Sequence, residues 1–343
     1  MMLFKSVRYL ATSALLAMSA VSNAQTYVWD MPNEYPAGSV QGEGDRHFAE
    51  LLKTKSQGDI KIVHHFGASL GFRSKDQLDA VADGAVVIAN TFVPPLGGIN
   101  PIFVLSSLPF LVSDANEAFT LYEVARPYYD KELARYNQKL LYSSPWPASG
   151  LWGARAYDKH ETVKGLKLRT YDPNGTLVFK AAGAAPVQLS WADIVPQLST
   201  GGIEGVLTSI ESGLSASFND YTKFFTAINY TTPINMVTMN LDTWKKLPAD
   251  KQQAVLDAAK ETEQFLWAGL DGVIKRNYEV AAQRGVTIVK DINPDFYQYL
   301  QKQAEPVIAA WVERAGKDGQ ALMSEYRQRV NAASTSGTKG SAN

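Results

Sequence analysis

The stretch at residues 165–175, "GLKLRTYDPNG", decides the reading of this chain. It is a short apolar run that predicts a strand, ends in Arg169, and passes at once into "TYDPNG", a turn-rich connection leading to the helix "NGTLVFKAAGA". In open α/β sheets ligands gather outside the carboxyl ends of the strands, and a helix N terminus favours anions. A guanidinium is charged at every accessible pH and offers two parallel donors that match a carboxylate. At this position it can hold an acid with direction as well as charge. The plain alternative is a surface arginine paired with Asp172 or another acid.

Working outward, strands and helices keep alternating. Downstream, "APVQLS" predicts a strand, "WADIVPQLSTGG" a helix and "IEGVLTS" a strand. Upstream, "TYVWDMPN", "DIKIVHHF" and "AVVIAN" predict strands. Between them lie "GEGDRHFAELLKTKSQG", with Phe48, Leu51 and Leu52 on its apolar side, and "SKDQLDAVADG", closed by Gly84. This is the pattern of α/β organisation with mostly parallel pairing, repeated at the length of a domain, and it predicts two similar lobes. From Pro248 to Gly285 helical spacing holds at Leu256, Phe265, Leu266, Leu270, Val273 and Ile274 with no internal proline. A continuous helix there would be roughly 50 Å long and would cross from one lobe to the other. Gly269 and Gly272 leave open a pair of helices joined between them. Residues 25–145 with 232–272 are expected to form lobe 1, and 146–231 with 273–330 lobe 2; the small, polar segment 331–343 is expected to be disordered.

With 343 residues, 45% hydrophobic and 20% charged, the chain can build two cores of ordinary size. Lys and Arg total 33 against 34 Asp and Glu, with no long run of either sign, so no nucleic-acid partner is expected. Lys5 and Arg8 precede the short apolar run "YLATSALLAMSAV", and Ser22 and Ala24 stand at cleavage spacing. This predicts a secretory signal peptide at residues 1–24, cut after Ala24, with a membrane anchor or a buried first helix as the alternative. Removing it leaves a net charge near 31 − 34 = −3. An exported chain with no cysteine fits the bacterial periplasm better than a disulfide scaffold.

The common catalytic signatures fail one by one. His64 and His65 are adjacent on one strand and point to opposite faces, so the strand cannot offer both to one metal. "GEGDRH" lacks the last glycine of a dinucleotide fingerprint, and no phosphate loop occurs. Ser209 and Ser212 in "TSIESG" sit in no nucleophile elbow. No metal or cofactor is expected. Trp146, Trp152, Tyr171 and Trp191 all fall in predicted connections, and with Arg169 they suggest an apolar slot with a cationic end.

Four blocks carry a family resemblance over nearly the whole mature chain: "FGASLGFRSKDQLDAVADGAVVIAN", "LPFLVSDANEAFTLYE", "KGLKLRTYDPNGTLVFKAAGAAPVQLSWADIVPQLSTGGIEGV" and "MNLDTWKKLPADKQQAVLDAAKE". They resemble the substrate-binding proteins of tripartite ATP-independent periplasmic (TRAP) transporters, dicarboxylate-type (DctP-like). The resemblance implies a two-lobed periplasmic binding protein, type II-like, braced by a long helix, that closes on an organic acid and hands it to the membrane subunits of a permease. It implies that Arg169 holds the ligand carboxylate and that Trp191 lines the pocket, with Asp172 at a place often filled by a polar contact. Asn33 in "MPNEYP" and Asn90, Thr91 and Phe92 in "ANTFV" match strand ends of the first lobe, and Arg155 resembles a second arginine of many members.

One departure is clear. Many relatives read Gly-Gln-Glu-Asn-Pro where this chain has "GVLTSIESG", so Leu207, Thr208 and Ser209 replace acidic and amide groups. This points to a less polar ligand, an aromatic or short 2-oxo or 2-hydroxy monocarboxylate, with Thr208 and Tyr230 as secondary contacts. The rival readings are a secreted organic-acid hydrolase or lyase using Asp172 or Glu211 as base, and a sensor module on the same fold.

Overall fold

The computed structural model describes residues 26–339, so the expected signal peptide and its cleavage site lie outside the described residues. The first lobe opens with β1 (Tyr27–Pro32), α1 (Val40–Lys55), β2 (Ile60–His65), α2 (Ser74–Ala82), β3 (Ile88–Phe92), α3 (Ala115–Arg135) and β4 (Gln138–Pro145). The chain then crosses into β5 (Ser149–Gly153), α4 (His160–Val163), β6 (Lys167–Thr170), α5 (Pro173–Ala181), β7 (Ala185–Gln188), α6 (Ile194–Thr200), β8 (Gly205–Ser209), α7 (Ile210–Ser215) and β9 (Phe224–Thr226). It returns through β10 (Ile234–Asn240) and α8 (Leu241–Lys246). It ends with α9 (Ala249–Gln283), β11 (Thr287–Val289) and α10 (Pro294–Lys339).

The two lobes repeat one strand order. In lobe 1, β1 pairs with β2, β10 lies between β3 and β4, and a bridge from Asn33 to Asn90 joins the two sets. In lobe 2 the order is β11-β9-β5-β8-β6-β7. Pairing is parallel except at β10 and β5, each antiparallel to both neighbours. Sequence alternation predicted mostly parallel pairing. These two strands differ because each arrives from the other lobe, with no helical crossover to set its direction. The crossing itself, "YSSPWPASGLWG", is rich in serine, proline and glycine and reads as loop, although it supplies parts of β4 and β5.

The long helix is uninterrupted from Ala249 to Gln283. Its first half packs on lobe 1, where Leu266 covers Gly44 of α1 so closely that a Cβ there would meet a leucine methyl at 2.9 Å. Its end reaches lobe 2, where Arg284, just past the helix, donates to the Leu214 carbonyl at 3.0 Å. Gly269 and Gly272 fall between these contacts and do not break the helix.

The C-terminal helix corrects two expectations. Residues 273–330 were assigned wholly to lobe 2, but only the start of α10 belongs there, where Tyr299 donates to the Ala181 carbonyl. From Trp311 onward its apolar face joins the lobe 1 cluster with Leu322, Met323 and Tyr326. The Trp311 indole donates to the Pro101 carbonyl at 2.6 Å, and Lys131 pairs with Asp318 at 2.9 Å. The crossing follows Pro306, and the helix turns again at Gly316, whose φ of 60° and ψ of −140° few residues other than glycine adopt. Helical backbone continues through Lys339, where the sequence predicted disorder from residue 331. The reason is local: Ala332 and Ala333 have the highest helix propensity and extend a helix that is already running.

Candidate functional site

Arg169 stands on β6 in register with Val187 of β7 and Val206 of β8. Strand alternation turns its neighbour Leu168 into the core and Arg169 to the opposite face. The guanidinium is 3% exposed. Its Nε donates to the Leu189 carbonyl at 3.0 Å and its Nη1 to the Leu207 carbonyl at 3.4 Å. Among the described residues no salt bridge involves it. Burial pulls its pKa below the usual arginine range, against the opposing pull of Tyr35, Glu34, Tyr171 and Asp172, and an arginine remains charged there.

Two cavities meet at this side chain. The outer one, about 390 Å³, is walled by Tyr35, Phe92, Tyr171 and Trp191, with Glu34 and Lys75 among its polar groups. The inner chamber is narrow, with room for about one water as it stands. Trp146, Ser149, Thr208 and Ser212 line it together with Tyr35, Phe92, Arg169 and Tyr171. The rings interlock: Tyr35 lies 4.6 Å from Trp146 and 5.1 Å from Trp191 between centroids, and Phe92 meets Tyr171 edge-on at 5.5 Å. The Tyr171 hydroxyl is 3.4 Å from that of Ser149.

The lobes are closed around these cavities. Arg73 of lobe 1 grips Asp193 of lobe 2 through both guanidinium nitrogens, at 2.8 and 3.0 Å. Glu34 accepts from the Trp191 amide of lobe 2 at 3.0 Å and from the Ser74 amide of its own lobe at 2.9 Å. Glu211 on α7 accepts from the Val40 amide at the start of α1 at 3.0 Å. Burial raises its carboxyl to about 8, and nearby Glu43 adds to the rise.

The residues singled out from sequence divide into two groups. Arg169, Trp191, Phe92, Trp146, Tyr171 and Thr208 line one or both cavities. The other six lie away from them. Asn33 and Asn90 are buried behind the chamber wall with their amide groups bonded to Asp45. Thr91, next to Phe92, lines neither cavity. Arg155 is exposed just past the end of β5 and lines neither cavity. Asp172 caps α5 through the Gly175 amide at 2.8 Å and also accepts from the Ser107 hydroxyl of lobe 1; burial raises it to about 7. Tyr230 is fully buried between Phe110 and Phe179. Trp152, grouped with the slot aromatics, is a core residue of β5 packed on Phe218 and Phe225.

Sequence reasoning passed over Tyr35, Glu34 and Ser149, and weighed Ser212 only as a nucleophile. Tyr35 had a usable signal, an aromatic ring before a proline in the same "NEYP" turn that yielded Asn33. The serines had none, since small hydroxyls are ordinary turn residues. Among the described residues no group of His, Asp and Glu could hold a metal ion, and no helix is long and apolar enough to cross a membrane.

Comparison with known proteins agrees with this geometry. Residues 31–315 match the family described as bacterial extracellular solute-binding protein, family 7 (DctP). A solute-binding protein of Albidiferax ferrireducens is 26% identical over 310 residues, spanning 86% of this chain and 89% of its own length. The crystal structure of DctP7, a Bordetella pertussis extracytoplasmic solute receptor binding pyroglutamic acid, superposes with a TM-score of 0.85 at 28% identity, covering 88% of this chain and all of that one. A TRAP solute-binding protein from a marine metagenome, specific for pyroglutamate, gives 0.84 at 27% identity over 89% of this chain and 99% of that one. The chain belongs to the bacterial extracellular solute-binding proteins of family 7, two-lobed receptors of the TRAP type.

Proposed function

We propose that this protein captures a compact monocarboxylate of the pyroglutamate kind by closing its lobes, and presents it to a TRAP-type membrane permease. The observation that carries the reading is Arg169, a buried charge with no acid paired to it, facing aromatic-walled cavities between two lobes. A buried guanidinium without a counter-ion favours an anionic guest, and a carboxylate meets its forked donors in two parallel bonds. The outer cavity, about 390 Å³, has room for a compact acid against Arg169, and the hydroxyls of the narrow chamber behind it suit one carboxylate on a small neutral ring better than a diacid or a bulky aromatic acid. Two relatives near 28% identity are receptors for pyroglutamate, which has this chemistry.

Closure follows from contacts that exist only when the lobes meet. A ligand shifts the equilibrium only by what it gains in the closed form over the open one. An acid on Arg169 from lobe 2, covered by Tyr35 and Phe92 from lobe 1, makes contacts of this kind. The protein is expected to work in the periplasm after export and cleavage behind Ala24, and to return its acid unchanged.

Calorimetry with pyroglutamate, an aromatic acid and short 2-oxo and 2-hydroxy acids tests the reading. Pyroglutamate should bind best, and Arg169→Lys should weaken it at least about thirtyfold, since the charge stays and the fork is lost. Unchanged affinity in Arg169→Lys would remove the guanidinium from its role. Conversion of the acid to product would favour an enzyme instead.

A further inference from the structure

Behind the inner chamber lies a polar network buried entirely within lobe 1. Asp45 of α1 is fully buried and, among the described residues, forms no salt bridge, with Arg46 acting on it only at a distance. Three neutral donors converge on it: Asn33 Nδ2 at 2.7 Å, Asn90 Nδ2 at 2.6 Å and the Tyr142 hydroxyl at 3.5 Å. From there two arms run to the chamber wall. In the short arm, Asn33 Oδ1 accepts the backbone amide of Tyr35 at 2.9 Å. In the long arm, Asn90 Oδ1 accepts from Asn235 Nδ2 at 2.7 Å, and Asn235 Oδ1 accepts from the Trp146 indole at 2.7 Å. Tyr35 and Trp146 are chamber walls in ring contact with each other.

The two arms have a single consistent polarity. Both Asp45 oxygens accept here, whereas an indole N–H and a backbone N–H can only donate. With an acceptor at one end and a donor at the other, each intervening amide has one orientation that satisfies both neighbours. Turning any one of them sets two donors face to face in a site closed to water, and buried networks of this kind tolerate little loss.

We propose that Asp45, which touches neither cavity, is the positioning residue of the acid site and holds the Tyr35 and Trp146 walls in place from behind. The inference rests on reading the joined cavities at Arg169 as the place where the acid docks. Replacing Asp45 by the isosteric asparagine puts an NH2 group where an acceptor stood. Asn33 or Asn90 must then turn its oxygen inward, and its amide nitrogen outward toward a donor. The fault travels along the arm to a wall residue.

The test uses the whole mature protein. In Asp45→Asn, the Trp146 indole resonance and the Tyr35 backbone amide resonance should shift or broaden, while the Trp311 indole, bonded to Pro101 elsewhere in the lobe, stays in place. Asn235→Ala cuts only the long arm and should move Trp146 alone. By calorimetry with pyroglutamate, Asp45→Asn should raise Kd about tenfold in the wild-type background and clearly less in Trp146→Phe, because residues acting through one another are not additive. Unmoved Trp146 and Tyr35 resonances, or an equal loss in both backgrounds, would overturn the inference. If the wild type binds no pyroglutamate, that result counts against the ligand reading, and the two resonances alone decide the role of Asp45.

Discussion

Arg169 in lobe 2 and Asn90 in lobe 1 both lie near strand ends that face the cleft, yet only Arg169 lines a cavity. Asn90 is 1% exposed, with its amide nitrogen on Asp45 and its oxygen on Asn235, so its bonds are made inside the lobe and not toward a guest. Arg169 is held by two carbonyls and keeps further donors on a permanently charged group. The lobes share a strand order but divide the work. Lobe 2 offers the charge, hydroxyls and the Tyr171 and Trp191 rings, while lobe 1 closes the site with the Tyr35 and Phe92 rings, backed by buried amides. A position at a strand end is therefore only half of the argument, and the other half is whether the donors are already taken.

The sharpest way to break this division is to remove the charge. Arg169→Leu should lower affinity for pyroglutamate several hundredfold, the range seen when a buried charge pair loses one member. Next comes the lobe 1 wall: Tyr35→Ala should cost about tenfold, since it removes a ring that touches Phe92, Trp146 and Trp191. A loss as large as that of Arg169→Leu would show that shape, not charge, dominates.

A smaller effect is expected at the cleft mouth. Arg73→Ala removes the bidentate grip on Asp193, but both side chains are more than a third exposed, so solvent screens the pair. Affinity should fall about two- to fivefold through faster release, and the difference should shrink in high salt. A salt-independent loss would mean that Arg73 acts through packing instead.

The smallest effect is on stability against pH. Asp45 and Asp172, from 3.8 to about 7, and Glu211, from 4.5 to about 8, are all raised by burial. Between those limits the native chain holds more protons than the unfolded one, so stability falls as pH rises from about 4.5 to 8. Melting temperature should be higher at pH 5.5 than at pH 8.5. Glu211→Gln should flatten the upper part of that slope, and an unaltered slope would show that Glu211 is solvated. Interlobe Glu211 and Asp172 should contribute less than Asp45 if the native ensemble opens at its cleft, because opening solvates them without unfolding the chain.

Much of the fold was legible because it rests on periodicity: the strand before Arg169, the helix over 248–285 and the doubled α/β alternation are set by local apolar spacing. The crossing strands were not, since "YSSPWPASG" carries the composition of a loop and becomes strand only by pairing with distant β10 and β8. Of the residues that line the cavities, Arg169 was legible from its strand position, Trp191 from the resemblance and Thr208 from the departure from it. Asn33 and Asn90 were taken for contacts because proximity to the cleft can be read from a strand end. The partner that occupies them, Asp45, sits on a helix whose sequence reads only as an amphipathic surface element. An acid on an otherwise ordinary helix gives no warning that it is buried.

The two helices that span the lobes share a detail with mechanical weight. In α9, Gly269 and Gly272 fall between the contacts to one lobe and the other, and no close packing requires the missing side chains there. In α10, Pro306 comes just before the passage to Trp311 and removes one rung of the backbone ladder. Neither strut is stiff along its whole length, α9 at its two glycines and α10 between Pro306 and the break at Gly316, so a swing of the lobes would bend the braces rather than tear them from either half.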